Sequence, residues 1–488
     1  MPMKRLYDTV GIIIVACWIA LMAMLAMKQI AALNPVQLEK QFMGATVESR
    51  QEWSGIFLKG SKIGYSSSEL KRIEEGYHIT EDVFMDLTVM DMPQRLQTHI
   101  NVVADADMRL QIFSFRLTSG VISMSVSGTV QGQRLRLNIF TGGKNELRDI
   151  PLKEPPVLTN SIRYFLLKRG IKPGMSYSQP FFDPLTLSTR TMQVQVLDRE
   201  IVEINGSRHE CYKVQTSFQG ITTSSWVNEQ GETLREESPM GLVLVREDRE
   251  QAMEQGWGEK PDIIAASSIK VSRAFSAQGL SFLKLRLKNV SLDGFVLNEG
   301  RQHLVEDTVE IRREELSPGE IGQATFSQPE MEPFLQATPF MQSDNPVILD
   351  FVRKQIGPEK NAYKVARNLT SWVYRNIEKK PTLSIPSALE VLATKQGDCN
   401  EHAVLLTALC RAAGVPSRVA AGLVHLNGSF FYHAWCEVFL GRWISVDPTM
   451  DQLPADVSHI KFVDGDMENQ ISILKLIGKL EIDVLEFL

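Results

Sequence analysis

The chain has 488 residues, of which 43% are hydrophobic and 23% charged, a composition typical of globular proteins. Lysine and arginine number 52 against 58 aspartate and glutamate residues, so the net charge is −6 and no nucleic-acid partner is expected. Five cysteines are too few for a disulfide scaffold. The length suggests roughly three units of ordinary domain size.

The first predicted element is a membrane anchor. Lys4 and Arg5 precede an uncharged apolar run over residues 9–27, which at about 1.5 Å per residue would span the hydrocarbon layer of a bilayer. The positive flank predicts a cytoplasmic N-terminus and an exported body. A cleaved signal peptide is the alternative, but its apolar region is usually about 7–15 residues long. We therefore expect residues 1–35 to form a cytoplasmic stub and a transmembrane helix whose partner is the lipid bilayer.

Residues 36–325 are predicted to form a β-rich extracytoplasmic region. Apolar residues alternate with polar ones at residues 122–126 and 283–287, for example, and this period of two is typical of half-buried antiparallel strands. Turn sequences such as Asn205-Gly206 separate the strands. Because the region contains no cluster of histidines, cysteines or paired carboxylates at catalytic spacing, we interpret it as a scaffold or as a binding domain for an unknown partner.

The C-terminal part of the chain is predicted to be a separate domain. Residues 326–344 are punctuated by proline and are expected to form a linker. Helical periodicity then begins at residues 347–352, with the Asp-Asn pair at 344–345 as candidate N-cap and Pro346 in the first turn. The expected class is thus α+β: an N-terminal transmembrane helix, a large antiparallel β region, and an α+β domain over residues 345–488.

Cys399 occupies the position at which a helix would begin. Asp398 is a candidate N-cap and Glu401 lies three residues later, which is a capping-box arrangement with Asp in place of Ser or Thr. Cys399 would then be the first helical residue, where the partial positive charge of the helix terminus favours a thiolate. The charge of Asp398 opposes this effect, so a histidine partner is needed to activate the thiol.

A predicted β-hairpin supplies that histidine. The Asn427-Gly428 turn joins two apolar strands, and the returning strand carries His433. After a second turn, the next strand ends at Asp447. Because His433 and Asp447 lie symmetrically about this turn, antiparallel pairing places them opposite or nearly opposite each other. A carboxylate in that position can orient the imidazole, so Cys399, His433 and Asp447 would follow in the order nucleophile, base and orienting group.

Each of these residues also has a structural interpretation. A cysteine at a helix start is often a small buried residue, a strand histidine is often a hydrogen-bonded structural one, and an aspartate before proline often belongs to a turn. A zinc site of Cys399, His402 and His433 is a further alternative, but no paired CxxC or HExxH spacing supports it. We therefore predict no metal and no cofactor, and we assign no role to His425 and His459.

Three short segments resemble the signature segments of the transglutaminase-like superfamily. They are Gly397-Asp398-Cys399, Tyr432-His433-Ala434-Trp435 and Val446-Asp447-Pro448-Thr449. Members of this superfamily share a papain-like core with a Cys-His-Asp triad, so the resemblance, which covers about residues 345–488, implies that Cys399 is the nucleophile, His433 the base and Asp447 the orienting carboxylate. The predicted layout is similar to that of bacterial membrane-anchored members. This likeness implies a single-pass protein of the bacterial inner membrane with its body in the periplasm or outside the cell.

The resemblance implies acyl transfer or hydrolysis through an acyl-thioester, with a protein, peptide or other carboxamide as substrate. Relatives include cross-linking enzymes, thiol peptidases and amidases, so the reaction stays open. The backbone N–H of Cys399 is the expected oxyanion donor, with Gln396 and Trp435 as further candidates. The alternative function is that of a catalytically inactive transglutaminase-like binding or assembly protein.

Overall fold

The computed structural model describes residues 48–120, 122–158, 166, 171–218, 220–238, 241–254, 258, 260–317, 319, 329–381 and 387–488. The membrane anchor predicted over residues 9–27 lies outside the described residues. Among the helices of the described ranges, none combines the length and the apolar character needed to cross a membrane.

The expected α+β class is wrong for the chain as a whole. Strands make up 51% of the structure and helices 18%, so the protein is mostly β, and the transmembrane helix of the predicted class is not among the described helices. The physical reason is the extent of the alternating pattern. It produces one very large sheet and two further sheets, and the C-terminal helices pack on only one of these two.

A single fifteen-stranded sheet contains the first part of the described chain. Its strands are β1 Glu48–Leu58, β2 Ser61–Ile73, β3 Gly76–Val89, β4 Met92–Asp105, β5 Leu110–Ser119, β6 Ile122–Gln131, β7 Arg134–Thr141, β8 Lys144–Pro151, β9 Val157–Leu158, β10 Ser176–Asp183, β11 Ser188–Ile204, β12 Ser207–Phe218, β13 Ile221–Val227, β14 Thr233–Glu237 and β15 Leu242–Glu247. Chain neighbours pair within two wings, β1–β8 and β9–β15, and the wings are joined where β1 pairs antiparallel with β15. The β11–β12 turn uses Asn205 and Gly206, both with positive φ, as the Asn-Gly sequence predicts.

The two wings bury their apolar residues in one shared core. In β7, Leu135 and Leu137 are fully buried while the alternating Arg134 and Arg136 are exposed. Phe113 of one wing contacts Phe182 of the other, with ring centroids 5.2 Å apart. Since fully burying a large apolar side chain contributes about 1.5–3 kcal/mol, this core makes the sheet curl upon itself rather than remain open.

The rest of the described chain forms shorter strands and helices. The strands are β16 Ile269–Lys270, β17 Phe282–Lys288, β18 Gln302–Val305, β19 Thr308–Arg312, β20 Glu378–Lys379, β21 Gln396–Gly397, β22 Ser417–Leu426, β23 Ser429–Phe439, β24 Trp443–Val446, β25 Ile460–Asp464 and β26 Glu481–Phe487. The helices are α1 Arg249–Met253, α2 Ile263–Ser267, α3 Pro346–Ile356, α4 Ala362–Asn376, α5 Ala388–Thr394, α6 Cys399–Ala412 and α7 Met467–Gln470, with 3-10 turns at Pro329–Phe334 and Ile471–Lys475.

Two sheets organise the C-terminal part. One has the order β16-β23-β22-β25, with β24 also paired to β23, and the other has the order β18-β19-β17-β26. Helices α3 to α6 share a hydrophobic core with β22, β23 and β24, and the second sheet packs against β22, β23 and β25 in another. Because β16 pairs with β23 and β17 with β26, residues 269–312 belong structurally with the C-terminal strands.

Candidate active site

Cys399 lies at the first position of α6, and the local sequence explains why the helix starts there. The Asp398 carboxylate accepts a hydrogen bond from the Asn400 N–H at 2.9 Å, and the Glu401 carboxylate accepts one from the Asp398 N–H at 2.9 Å, completing the capping box. A Cβ atom at Gly397 would lie 2.2 Å from the Cβ of Glu401, so only glycine fits at this position before the helix. The thiol of Cys399 is thereby placed at the positive end of the helix.

His433 lies in the middle of β23, beside an opening in the sheet. One edge of β23 pairs with β22 along residues 429–438. On the other edge, β16 pairs at residues 429–430 and β24 at residues 436–439. Cys399 lies at the edge segment between them, where the His433 ring and the Ala434 N–H are close enough to lower the pKa of its thiol.

Asp447 follows directly after β24 and meets His433 from the side. The pairing of Cys436 with Val446 places Asp447 slightly out of direct opposition to His433. Its Oδ2 nevertheless lies 2.8 Å from His433 Nε2, and both side chains are buried. The structure therefore brings together Cys399, His433 and Asp447, the three residues predicted from sequence. Asp447 is hydrogen-bonded to His433, and the Cys399 thiol lies close enough to the His433 ring for each group to shift the pKa of the other.

A second histidine contacts the same carboxylate oxygen. His459 Nε2 lies 3.0 Å from Asp447 Oδ2, and His459 Nδ1 lies 3.1 Å from Asp456 Oδ1. The other oxygen of Asp447 accepts hydrogen bonds from the N–H groups of Thr449 at 2.6 Å and Met450 at 3.2 Å. Sequence analysis assigned His459 no role, because no local spacing signals that the loop between Asp447 and β25 folds back on its own start.

The charged groups of the site oppose the effect of burial on one another's pKa values. Burial opposes ionisation of His433, but the Asp447 carboxylate and Cys399 outweigh it and raise the pKa of His433 to about 9. Burial and the Asp398 charge raise the pKa of the Cys399 thiol, whereas His433 lowers it. Burial alone would raise the pKa of Asp447, yet the two imidazoles lower it far below its usual range. The arrangement thus favours a protonated His433 between two groups that can carry negative charge.

Gln396 and Trp435, the two further candidates for oxyanion stabilisation, occupy different surroundings. Gln396 is half-buried in β21, and its Oε1 accepts a hydrogen bond from Lys380 Nζ at 3.2 Å. Trp435 is fully buried and packs against His433 and His459, with ring centroids 6.1 and 5.2 Å away. Trp435 therefore shields the imidazoles from water, while Gln396 lies three residues before Cys399.

Two clusters in the described ranges bring at least three candidate metal-ligand atoms within 4.8 Å of one another: His433, Asp447 and His459, and Glu299, Glu437 and Asp464. The zinc set considered from sequence, which included Cys399 and His402, is not one of these clusters. In the first cluster both ring nitrogens of His459 face carboxylates, so the structure assigns it to hydrogen bonding. In the second, Arg418 and Lys461 neutralise the carboxylates.

Cys399 differs from the other described cysteines in exposure. It is partly exposed, whereas Cys211, Cys410 and Cys436 are buried, and all four are free thiols. Burial raises the pKa of Cys410 to about 12. The Cys436 thiol donates to the Ala403 carbonyl oxygen at 3.1 Å, which fixes it against α6. Among the described thiols, Cys399 is thus the one that a reagent or substrate can reach.

Comparison with known proteins agrees with the motifs. Residues 350–448 match the Transglutaminase-like superfamily, which confirms the resemblance for this segment. An uncharacterized protein of Haemophilus influenzae is 28% identical over 99 residues, a match covering 19% of this chain and 27% of that protein. The chain therefore matches little more than a quarter of that relative.

Solved structures show weaker similarity. A candidate cysteine protease from Cytophaga hutchinsonii is 19% identical, with a TM-score of 0.28 and coverage of 43% of this chain and 87% of that one. A β-barrel-like protein of a domain of unknown function from Brucella abortus is 12% identical, with a TM-score of 0.31 and coverage of 42% and 97%.

Proposed function

We propose that this protein is a thiol enzyme that transfers or hydrolyses acyl groups of peptide or carboxamide substrates through an acyl-thioester on Cys399. The observation that carries the proposal is the grouping of Cys399, His433 and Asp447, with a hydrogen bond of 2.8 Å between the last two side chains and the Cys399 thiol beside the His433 ring. The match of residues 350–448 to the transglutaminase-like superfamily supports it independently.

The reaction would begin with the thiolate of Cys399. Its sulfur attacks the carbonyl carbon of the substrate, and the carbon–nitrogen bond then breaks while His433 donates its proton to the leaving amine or ammonia. The resulting thioester is attacked by water or by a primary amine. His433 takes the proton of this second nucleophile, and Cys399 leaves as the thiolate, so each cycle restores both groups.

Oxyanion stabilisation in this scheme comes from the start of α6. The N–H of a first helical residue has no partner within its own helix, so the Cys399 N–H can donate to the carbonyl oxygen that becomes negative. The partial positive charge of the helix terminus adds to this effect. Gln396, just upstream of Cys399, is the side chain that we propose as a second donor.

Trapping the thioester tests the proposal. The full chain is incubated with a blocked glutamine-containing peptide, quenched in acid, and digested for mass spectrometry of the Cys399 peptide. We expect an acyl adduct on Cys399 that hydroxylamine removes, together with release of ammonia. The matched control is Cys410→Ser, which alters a buried thiol outside the site and should form the adduct normally.

The acceptor distinguishes the possible reactions. A labelled primary amine incorporated into the peptide indicates acyl transfer, and free glutamate side chains indicate hydrolysis. A peptide library with amide bonds in the main chain extends the same assay to peptidase activity. Absence of any Cys399 adduct with all of these substrates, in a folded protein, would favour the catalytically inactive binding protein.

A further inference from the structure

The hydrogen-bonded series of the site does not end at Asp447. His459 continues it to Asp456, with distances of 3.0 and 3.1 Å to the two carboxylates, and its side chain is fully inaccessible to solvent. Asp456 is itself fixed by Gln452 Nε2 at 2.9 Å and by the Ser458 N–H at 2.9 Å. Together with the Cys399 thiol beside His433, the arrangement therefore has five side chains, three of which are predicted from the sequence.

The number of donors determines the charge of His459. A neutral imidazole has one N–H and one acceptor nitrogen, whereas an imidazolium has two N–H groups. Both nitrogens of His459 face carboxylate oxygens, and ionised carboxylates only accept hydrogen bonds. With a neutral ring, one nitrogen lone pair would point at a carboxylate oxygen between side chains that are inaccessible to solvent, so the geometry favours a proton on each nitrogen.

We propose that His459 is a positioning residue for the reaction proposed above: a permanently protonated imidazolium, fixed between Asp447 and Asp456, that orients Asp447 and limits how tightly His433 holds its proton. The inference rests on the proposed function for its catalytic meaning. Its physical content, the charge of His459 and its effect on His433, can be measured without any substrate.

Position explains the effect on His433. The two imidazole rings have centroids 5.6 Å apart and share Oδ2 of Asp447. A cation at His459 offsets part of the negative charge that Asp447 presents to His433. Without it, His433 would retain its proton to still higher pH and would be a poorer base in the second half of the reaction.

Other charged groups also face this pair. At the start of α6, Cys399 interacts with His433, and His402 interacts with Asp447 and with the backbone of Asp398. From the β17–β19 side, Arg301 donates to the carbonyl oxygen of His459 at 3.0 Å, and it is itself 3.8 Å from Glu314.

The remaining groups are contributed by β23 and the loop after β24. Cys436 interacts electrostatically with Asp447, and the Asp447 and Asp456 carboxylates flank His459 directly. Of these groups, only the two carboxylates are hydrogen-bonded to the ring nitrogens of His459, so they are the residues to change.

The test uses the full chain labelled with ¹³C and ¹⁵N in its eight histidines. Ring signals are followed by NMR between about pH 6 and 12, and the signals of His433 and His459 are assigned from their loss in His433→Gln and His459→Gln. In the unmodified protein we expect His459 to stay doubly protonated well above the pH at which a free histidine loses its proton. Two unit charges 5.6 Å apart, at an effective dielectric constant of about 20, change each other's pKa by about two units. In His459→Gln, whose amide can still donate to Asp447, the titration of His433 should therefore move upward by about two pH units.

Asp456→Asn provides a second variant that touches neither His433 nor Asp447. Its amide can donate to Nδ1 of a neutral His459, so His459 should lose its proton at lower pH and the His433 titration should move upward, by less than in His459→Gln. The control is His425→Gln, a buried histidine stacked on Phe275, which should leave the His433 titration in place.

The proposal is overturned if His459 in the unmodified protein loses its second proton in the pH range of a free histidine. It is also overturned if a folded His459→Gln or Asp456→Asn protein shows an unchanged His433 titration, because a purely structural role would lower stability without moving this pKa. Failure to form a thioester on Cys399 would instead contradict the proposed function, and it would leave the NMR result standing.

Discussion

Replacing Asp447 with asparagine is the most informative single change, because every acceptor position of this carboxylate is in use. Oδ1 accepts from the N–H groups of Thr449 and Met450, and Oδ2 accepts from His433 and His459. If the asparagine oxygen keeps the two backbone bonds, its NH₂ group points at two imidazole N–H groups. His433 then has to become a neutral ring that accepts through Nε2, which puts its remaining proton on the side of Cys399.

The expected losses can be estimated separately for rate and stability. The tautomer change in His433 should lower turnover by roughly 10⁴-fold, as for loss of the carboxylate charge in other catalytic triads. Removing one partner from a buried ion pair costs about 3–5 kcal/mol of stability. Because Asp447 pairs with two imidazoles, we expect Asp447→Asn to unfold at clearly lower denaturant concentration, although the change is nearly isosteric.

The measurements are the rate of amide cleavage or transfer and the midpoint of urea unfolding. Asp451→Asn is the matched control, since Asp451 lies in the same loop but pairs with Arg367 and Ser371 of α4, and it should keep its turnover. Unchanged turnover in a folded Asp447→Asn protein would refute the assignment of Asp447 as the orienting group, and an unchanged unfolding midpoint would refute the estimate of its charge pairing.

Three further results are expected. Low doses of iodoacetamide should alkylate Cys399 well before the three buried cysteines, and peptide mass spectrometry measures the extent of labelling at each site. The His433→Ala substitution should remove this preference. Uniform labelling of the four cysteines in the unmodified protein would contradict the site geometry. Glu437→Ala should lower the free energy of unfolding by about 3–5 kcal/mol, because it leaves Arg418 and Lys461 buried without this shared carboxylate; denaturant titration measures the loss. The pKa of His433 is raised from 6.5 to about 9, so protonation of His433 contributes up to about 3 kcal/mol to the free energy of unfolding. This contribution is complete below pH 6.5 and is lost as the pH rises to 9. Unfolding midpoints at both pH values, compared with those of His433→Gln, show whether stability falls with rising pH as expected.

Local features of the site could be predicted from the sequence, because four or five adjacent residues determine them. Asp398 and Glu401 form the capping box that their spacing indicates, and α6 begins at Cys399. The hairpin carrying His433 was also predictable, since Asn427-Gly428 selects a tight turn.

Features that depend on distant residues could not be predicted in this way. His459 reaches Asp447 only because the intervening loop folds back, with Gln452 bridged to the Asp447 backbone. The fold class was misjudged for a related reason. Alternating residues identify strands such as β17, but they do not reveal that its partner is the last strand of the chain or how far strands outweigh helices.

The pairing of β17 with β26 has a consequence for biosynthesis. Leu283, Leu285 and Leu287 of β17 are buried in the folded protein, yet their neighbour Glu481–Phe487 lies far along the chain and is synthesised much later. Until β26 has been synthesised, this apolar strand lacks one of its edges, and contacts of such long sequence separation form slowly. Nascent chains should therefore be prone to aggregation until β26 has emerged, and deletion of β26 alone should be enough to prevent maturation.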